Sequence, residues 1–156
     1  MSTGPNDAFE KVVSTLPLTT YHAGDTILAA GSKTGRLLIL KKGTVVVLNG
    51  SAEIARVDQP GAVIGEIAAL LDQPHTADVR ALTDSQFHVA DATIIDSDPA
   101  ASRHVARVLA RRIVEANKNF AELRRQLNGS QSSGVLSKIL QKMEEILSVG
   151  GVGYET

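Results

Sequence analysis

Apolar and polar positions divide the 156-residue chain into three stretches of different period. Over Ala8-Phe9-Glu10-Lys11-Val12-Val13-Ser14-Thr15-Leu16 the apolar residues fall at helical spacing, and Pro17 ends the run, which predicts a short N-terminal helix. From Tyr21 to Asp91 short β-prone runs alternate with turn signals at Ala23-Gly24-Asp25, Lys42-Gly43, Asn49-Gly50, Gln59-Pro60-Gly61 and Thr83-Asp84-Ser85. The runs include Leu37 to Leu40, Val45 to Leu48, Ile54 to Val57 and Phe87 to Ala90. Many short strands at such spacing predict a mainly β fold with flanking helices, an antiparallel β-roll or jelly roll.

The third stretch is helical. Asp98 has the chemistry of an N-cap and Pro99 that of a first helical residue. Beyond them Ala106, Leu109, Ile113, Ala116, Phe120, Leu123 and Leu127 alternate steps of three and four, which is a heptad seam and calls for a partner helix. The helix is expected to end near Asn128-Gly129, and Gly129-Ser130-Gln131-Ser132-Ser133-Gly134 reads as a flexible linker. A last amphipathic helix, Val135 to Leu147, places Leu136, Ile139, Leu140, Met143 and Leu147 on one face before a glycine-rich end. The expected organisation is therefore an N-terminal helical segment (1–17), a β-roll (18–98), a lid or dimerisation helix (99–127), a linker (128–134) and a terminal helix with its tail (135–156).

Composition narrows the possible partners. Sixteen basic against seventeen acidic residues give a net charge of -1, so any electrostatic attraction to nucleic acid or to a membrane surface would have to be local. The absence of cysteine excludes disulfides and thiolate metal sites. No apolar run is long enough to span a bilayer and the N-terminus lacks a signal-peptide core, so a soluble cytoplasmic protein is expected, without membrane attachment.

The segment Ile64-Gly65-Glu66-Ile67-Ala68-Ala69-Leu70-Leu71-Asp72-Gln73-Pro74-His75-Thr76-Ala77-Asp78-Val79 carries the candidate chemistry. Gly65 permits close backbone approach, and the helical turn after it, through Ile67 and Ala68, offers unpaired N–H groups to an anion. Glu66 is acceptor-only when ionised and suits a sugar hydroxyl; Thr76 adds a hydroxyl, and the N–H of Ala77 another donor.

This layout resembles the phosphate-binding cassette of cyclic nucleotide-binding domains, whose pattern is Gly-Glu, a short apolar helix, then Pro-Arg-(Ser/Thr/Ala)-Ala and a strand. The likeness extends over residues 18–127. Tyr21-His22-Ala23-Gly24-Asp25-Thr26-Ile27 is similar to the family's first strand and turn, and Leu37 to Val45 to its central hairpin about Gly43. The region from Asp98 to Leu127 is similar to the pair of helices that lid the pocket and dimerise in bacterial regulators. The resemblance implies a ligand such as cGMP or cAMP, held by Glu66 at the ribose 2′-hydroxyl, with Thr76 favouring guanine.

His75 stands where the family has its phosphate-binding arginine. Arginine is always charged and bidentate to phosphate, whereas an unperturbed histidine, with a pKa of about 6.5, is mostly neutral at neutral pH. Loss of a charge-assisted hydrogen bond costs about 1.5–3 kcal/mol, or roughly ten- to a hundredfold in affinity. A bound phosphate could keep His75 protonated, Arg36, Arg80 or Arg103 could substitute, or the ligand could differ; strand alternation turns Arg80 away from the side of Val79.

Other functions receive little support. Arg103, Arg107 and Arg111, with Arg124-Arg125, read as a solvated helix face, and residues 128–156 provide no recognition helix, so direct DNA binding is not expected. His22, His75, His88 and His104 are scattered without metal-ligand spacing, no Gly-x-Ser-x-Gly elbow is present, and an enzyme is not expected. Two readings remain. One is a stand-alone sensor that passes a ligand signal through its C-terminal helices to an effector protein; the other is a ligand-independent dimerisation or protein-interaction module. In both, Leu109, Ile113, Ala116, Phe120, Leu123 and Leu127 form the dimer or lid surface, with a homodimer as the expected assembly.

Overall fold

The computed structural model describes residues 7–128 and 134–148. After helix α1 (Asp7–Ser14) come eight strands: β1 (Leu18–Tyr21), β2 (Thr26–Leu28), β3 (Arg36–Lys42), β4 (Val45–Asn49), β5 (Ala52–Val57), β6 (Val63–Ile64), β7 (Asp78–Ala81) and β8 (Ser85–Asp91). Helix α2 (Glu66–Leu71) lies between β6 and β7, and α3 (Ile94–Ser97), α4 (Pro99–Asn128) and α5 (Gly134–Ser148) follow. The strands form two antiparallel sheets of four, ordered β1-β8-β3-β6 and β2-β7-β4-β5. This is the two-sheet order of a jelly roll.

Strand alternation explains the core. Leu38, Leu40, Ile64 and Phe87 from one sheet meet Leu28, Val45, Val79 and Ala81 from the other. Leu37 and Ile39, on the opposite face of β3, are also buried, at 0% and 2% exposure. Phe9 of α1, Ile95 of α3 and Ala101 and Val105 at the start of α4 are buried as well. Phe9 stacks on the His104 ring with centroids 4.0 Å apart. Where β3 turns into β4, Gly43 has φ 108°, and a Cβ there would stand 2.7 Å from the Ser85 Cα, so only glycine fits the crossing.

The four β runs read from the sequence fall in β3, β4, β5 and β8. The N-terminal helix begins at Asp7 and stops at Ser14, two residues short of the expected end, although Leu16 N–H still bonds the Val13 carbonyl at 3.0 Å. Asp98 caps α4 as expected: its Oδ1 accepts from Ala100 N–H at 2.9 Å and from Ala101 N–H at 3.3 Å. In place of a matched pair of helices, the four-residue α3 precedes one unbroken 30-residue α4.

Contacts divide the chain into two compact units, residues 1–106 and 107–156. In the second, Arg124 of α4 and Glu144 of α5 form an ion pair at 2.8 Å. Gly134, expected in the linker, is the first residue of α5, a terminal position where glycine forgoes little helix stability. The remainder of the linker, 129–133, and the tail, 149–156, lie outside the described residues.

Candidate functional site

The site is built where β6 passes into α2. Gly65, with φ 92° and ψ 2°, is the N-cap of that helix, and a Cβ there would lie 2.9 Å from the Arg36 carbonyl oxygen. Both the dihedral and the contact require glycine. The first intrahelical bond runs from Ala69 N–H to the Gly65 carbonyl at 3.2 Å, so the N–H groups ahead of it have no acceptor in the helix. Glu66 occupies the first helical position and is only 3% exposed.

Asp72 ends α2 in the left-handed region, with φ 49°, and Gln73 N–H bonds the Ala68 carbonyl at 3.1 Å. The Asp72 carboxylate reaches Lys33 at 2.6 Å, and that hydrogen bond holds its pKa below the usual carboxylate range. The segment after α2 is thereby clasped to the β2–β3 loop. His75 strengthens the clasp through its backbone: its N–H donates to the Ser32 carbonyl at 2.9 Å, and its carbonyl accepts from Gly31 N–H at 2.8 Å.

The His75 side chain points into the same loop. It is 7% exposed, with Nε2 3.0 Å from Thr34 Oγ1. Thr34 Oγ1 also accepts from Arg36 N–H at 3.3 Å, so its own proton can be donated to Nε2 of a neutral ring protonated at Nδ1. Burial pushes the His75 pKa below its ordinary value. The ring is therefore neutral at neutral pH, and a structural hydroxyl takes the place of a charged partner.

Three of the cassette residues named from the sequence line one cavity. A cavity of about 580 Å³ is lined by Gly65, Ala68 and His75 together with Lys33, Thr34 and Arg36, and is bordered by Asp91, Thr93 and Asp96. Ile64, Glu66, Ile67, Thr76 and Ala77 are not among its lining residues. Ile64 is buried in the sandwich core, Ile67 is 42% exposed, Thr76 is exposed and Ala77 half-buried. Of the three arginines named as replacements for the missing one, only Arg36 lines the cavity; Arg80 and Arg103 are exposed elsewhere. Asp91 is held below the usual carboxylate range by the backbone N–H and the hydroxyl of Thr93.

Sequence reasoning missed Lys33 and Thr34 of the β2–β3 loop, because their roles depend on partners about 40 residues away. Gly35 beside them, with φ 65°, was a local signal.

The helical seam is largely open. Ile113 and Leu123 are 51% and 42% exposed, Ala106 and Ala116 are exposed, and Leu109, Phe120 and Leu127 are half-buried. Among the described residues no cluster of histidine and carboxylate side chains could hold a metal ion, and no helix is long and apolar enough to cross a membrane.

Comparison with known proteins places this geometry. The family profile described as "Cyclic nucleotide-binding domain" matches residues 18–97. The catabolite activator protein of Thermus thermophilus superimposes with a TM-score of 0.61 at 23% identity, over 76% of this chain and 59% of that one. PKAR CBD2 bound to Sp-2Cl-cAMPS gives 0.58 at 24% identity, over 72% of this chain and 75% of that one. The N-terminal domain of a transcriptional regulator from Streptomyces coelicolor A3(2) gives 0.54 at 24% identity, over 72% and 86%. These likenesses establish the antiparallel β-roll with its flanking helices. No curated protein matches the chain by sequence.

Proposed function

The chain belongs to the cyclic nucleotide-binding domain family, and from that premise we propose that it is a non-catalytic regulatory module whose cassette is a fixed structural element and whose output surface is the seam of α4. The observation that carries this reading is the buried His75–Thr34 hydrogen bond. In the family an arginine at this position supplies the charge that holds the cyclic phosphate. Here the side chain is neutral and is engaged with the β2–β3 loop, so a phosphate would have to displace Thr34 and protonate a desolvated ring. Both steps oppose binding.

With the cassette fixed, the seam provides the function. Leu109, Ile113, Ala116, Phe120, Leu123 and Leu127 lie along one continuous helix, and the exposure of Ile113 and Leu123 leaves an apolar stripe available to a second copy or to an effector protein. A soluble cytoplasmic module, without DNA or membrane contacts, fits the near-neutral charge.

A second reading is supported by Gly65 and Glu66, whose geometry keeps the mouth of α2 intact. In it the domain senses a cyclic mononucleotide such as cGMP or cAMP, or a related anion, and the signal passes through α4. Thermal denaturation with cAMP and cGMP, on the native chain and on His75→Arg, separates the two. Stabilisation of the native protein by either nucleotide would support the sensor and remove the fixed-cassette reading.

A further inference from the structure

Helix α5 carries more apolar surface than its own unit uses. The ion pair from Arg124 to Glu144 turns the edge of α5 formed by Leu136, Leu140 and Glu144, spaced by four residues, toward α4. Leu140 on that edge is 6% exposed and Leu136 half-buried. A second stripe runs beside it: Val135, Ile139, Met143 and Ile146, at steps of four, four and three, are 70%, 51%, 39% and 69% exposed. A 15-residue helix that leaves such a stripe in water lacks a partner on that side.

The charges along the stripe identify that partner. Lys138, Lys142 and Glu145 share its flank, and among the described residues none of them is engaged in an ion pair. If two copies of α5 lay parallel, this charged flank of one would meet the opposite, Leu136-bearing flank of the other, and Lys138 and Glu145 would find no unpaired opposite charge there. If they lie antiparallel, residues whose numbers have nearly the same sum, here 281 to 283, lie level to within about 1.5 Å, one helical rise, and face one another. Val135 then meets Ile146, Ile139 meets Met143, and Lys138 meets Glu145, twice over by the twofold axis. Only Lys142, near the axis, faces its own kind. The arrangement is self-complementary in one orientation.

We infer that the Val135–Ile139–Met143–Ile146 stripe of α5 is a self-association surface, which pairs antiparallel with α5 of a second copy of this chain across two symmetric Lys138–Glu145 contacts. The inference rests on the reading that the C-terminal helices are the output surface, and it adds a partner and an orientation distinct from the α4 seam. The surface chemistry is that of a small isologous interface: apolar at the centre, charged at the rim.

The chain contains no cysteine, so cross-linking of the full-length protein gives an unambiguous test. Val135→Cys and Ile146→Cys variants are oxidised separately and mixed. The inference expects a disulfide-linked dimer in the mixture and little in either variant alone. Efficient cross-linking of Val135→Cys to itself would show parallel pairing and overturn it, as would no cross-linking in any sample. A charge series provides a second readout. Lys138→Glu and Glu145→Lys singly should each weaken dimerisation in analytical ultracentrifugation several-fold, and the double exchange should restore it. If the double exchange is as weak as the singles, Lys138 does not face Glu145 and the orientation is wrong. A dimer that is broken by Ile113→Glu but not by Ile139→Glu would leave the α4 reading standing and remove this one.

Discussion

Thr34 Oγ1 lies 3.0 Å from His75 Nε2, and this contact joins the β2–β3 loop to the segment that follows α2. It acts with the two backbone bonds between Gly31, Ser32 and His75 and with the Lys33–Asp72 ion pair. Four consecutive loop residues, Gly31 to Thr34, thus hold the cassette from one side. A position that could serve a ligand serves the fold.

The contact predicts a measurable coupling. Thr34→Val leaves a buried imidazole nitrogen without its partner and should cost about 1–3 kcal/mol, the penalty for an unsatisfied buried polar group. His75→Ala should cost a similar amount, with an added cavity contribution. Because the two residues share one bond, the double variant should be less destabilised than the sum of the singles. Urea denaturation of all four proteins measures this; strict additivity would mean that the contact contributes nothing.

His75 also sets a pH dependence. Its pKa is depressed in the folded protein by burial, so between that value and the unfolded value near ~6.5 the unfolded chain binds the extra proton. Its contribution to stability is therefore complete above the unfolded pKa and falls as the pH drops through the window below it. Thermal denaturation should show this fall in the native chain and a flatter profile in His75→Gln over the same window. Identical profiles would refute the assignment.

Gly65 is constrained twice, by a φ of 92° and by the Arg36 carbonyl 2.9 Å from the place of its missing Cβ. Gly65→Ala should destabilise the chain by about 1–3 kcal/mol through left-handed strain and the displaced β3 backbone. At Gly24, where nothing lies within 4 Å, the same change meets the dihedral strain alone and should cost less. Denaturant midpoints for the two variants give the comparison, and equal losses would mean that the close approach to Arg36 does not matter.

The cap of α4 offers a local test. Asp98→Ala removes the acceptor of two backbone N–H groups and should cost about 1 kcal/mol, read as a lower thermal midpoint with unchanged helical circular dichroism.

These tests mark what was legible in the sequence. Gly43, Gly50 and Pro60-Gly61 punctuate the chain where it turns, so the long strands β3, β4, β5 and β8 could be read from alternation and turn chemistry. The Asp98-Pro99 start of α4 could be read because capping is local. The two-residue β6 and the four-residue α3 were not legible, since neither is long enough to show a period. In the site, Gly65 and His75 announced themselves by residue type. Thr34 and Lys33 did not, because each acts through a partner far along the chain, and a lone threonine or lysine in a loop carries no sign of what it will meet. The terminal helix shows the same division. Its apolar face was visible, but which edge faces α4 depends on the Arg124–Glu144 pair.

The central claim is that His75 belongs to the fold and has withdrawn from phosphate binding, and ligand-induced stabilisation tests it most directly. Thermal midpoints of the native chain and of His75→Arg are measured with cAMP and cGMP at millimolar concentration. A ligand at ~100 times its dissociation constant adds about 2.7 kcal/mol, well above detection. The native protein should show no shift with either nucleotide, and His75→Arg, where the charge is restored, should show an upward one. A native protein stabilised as strongly as the arginine variant would contradict the claim.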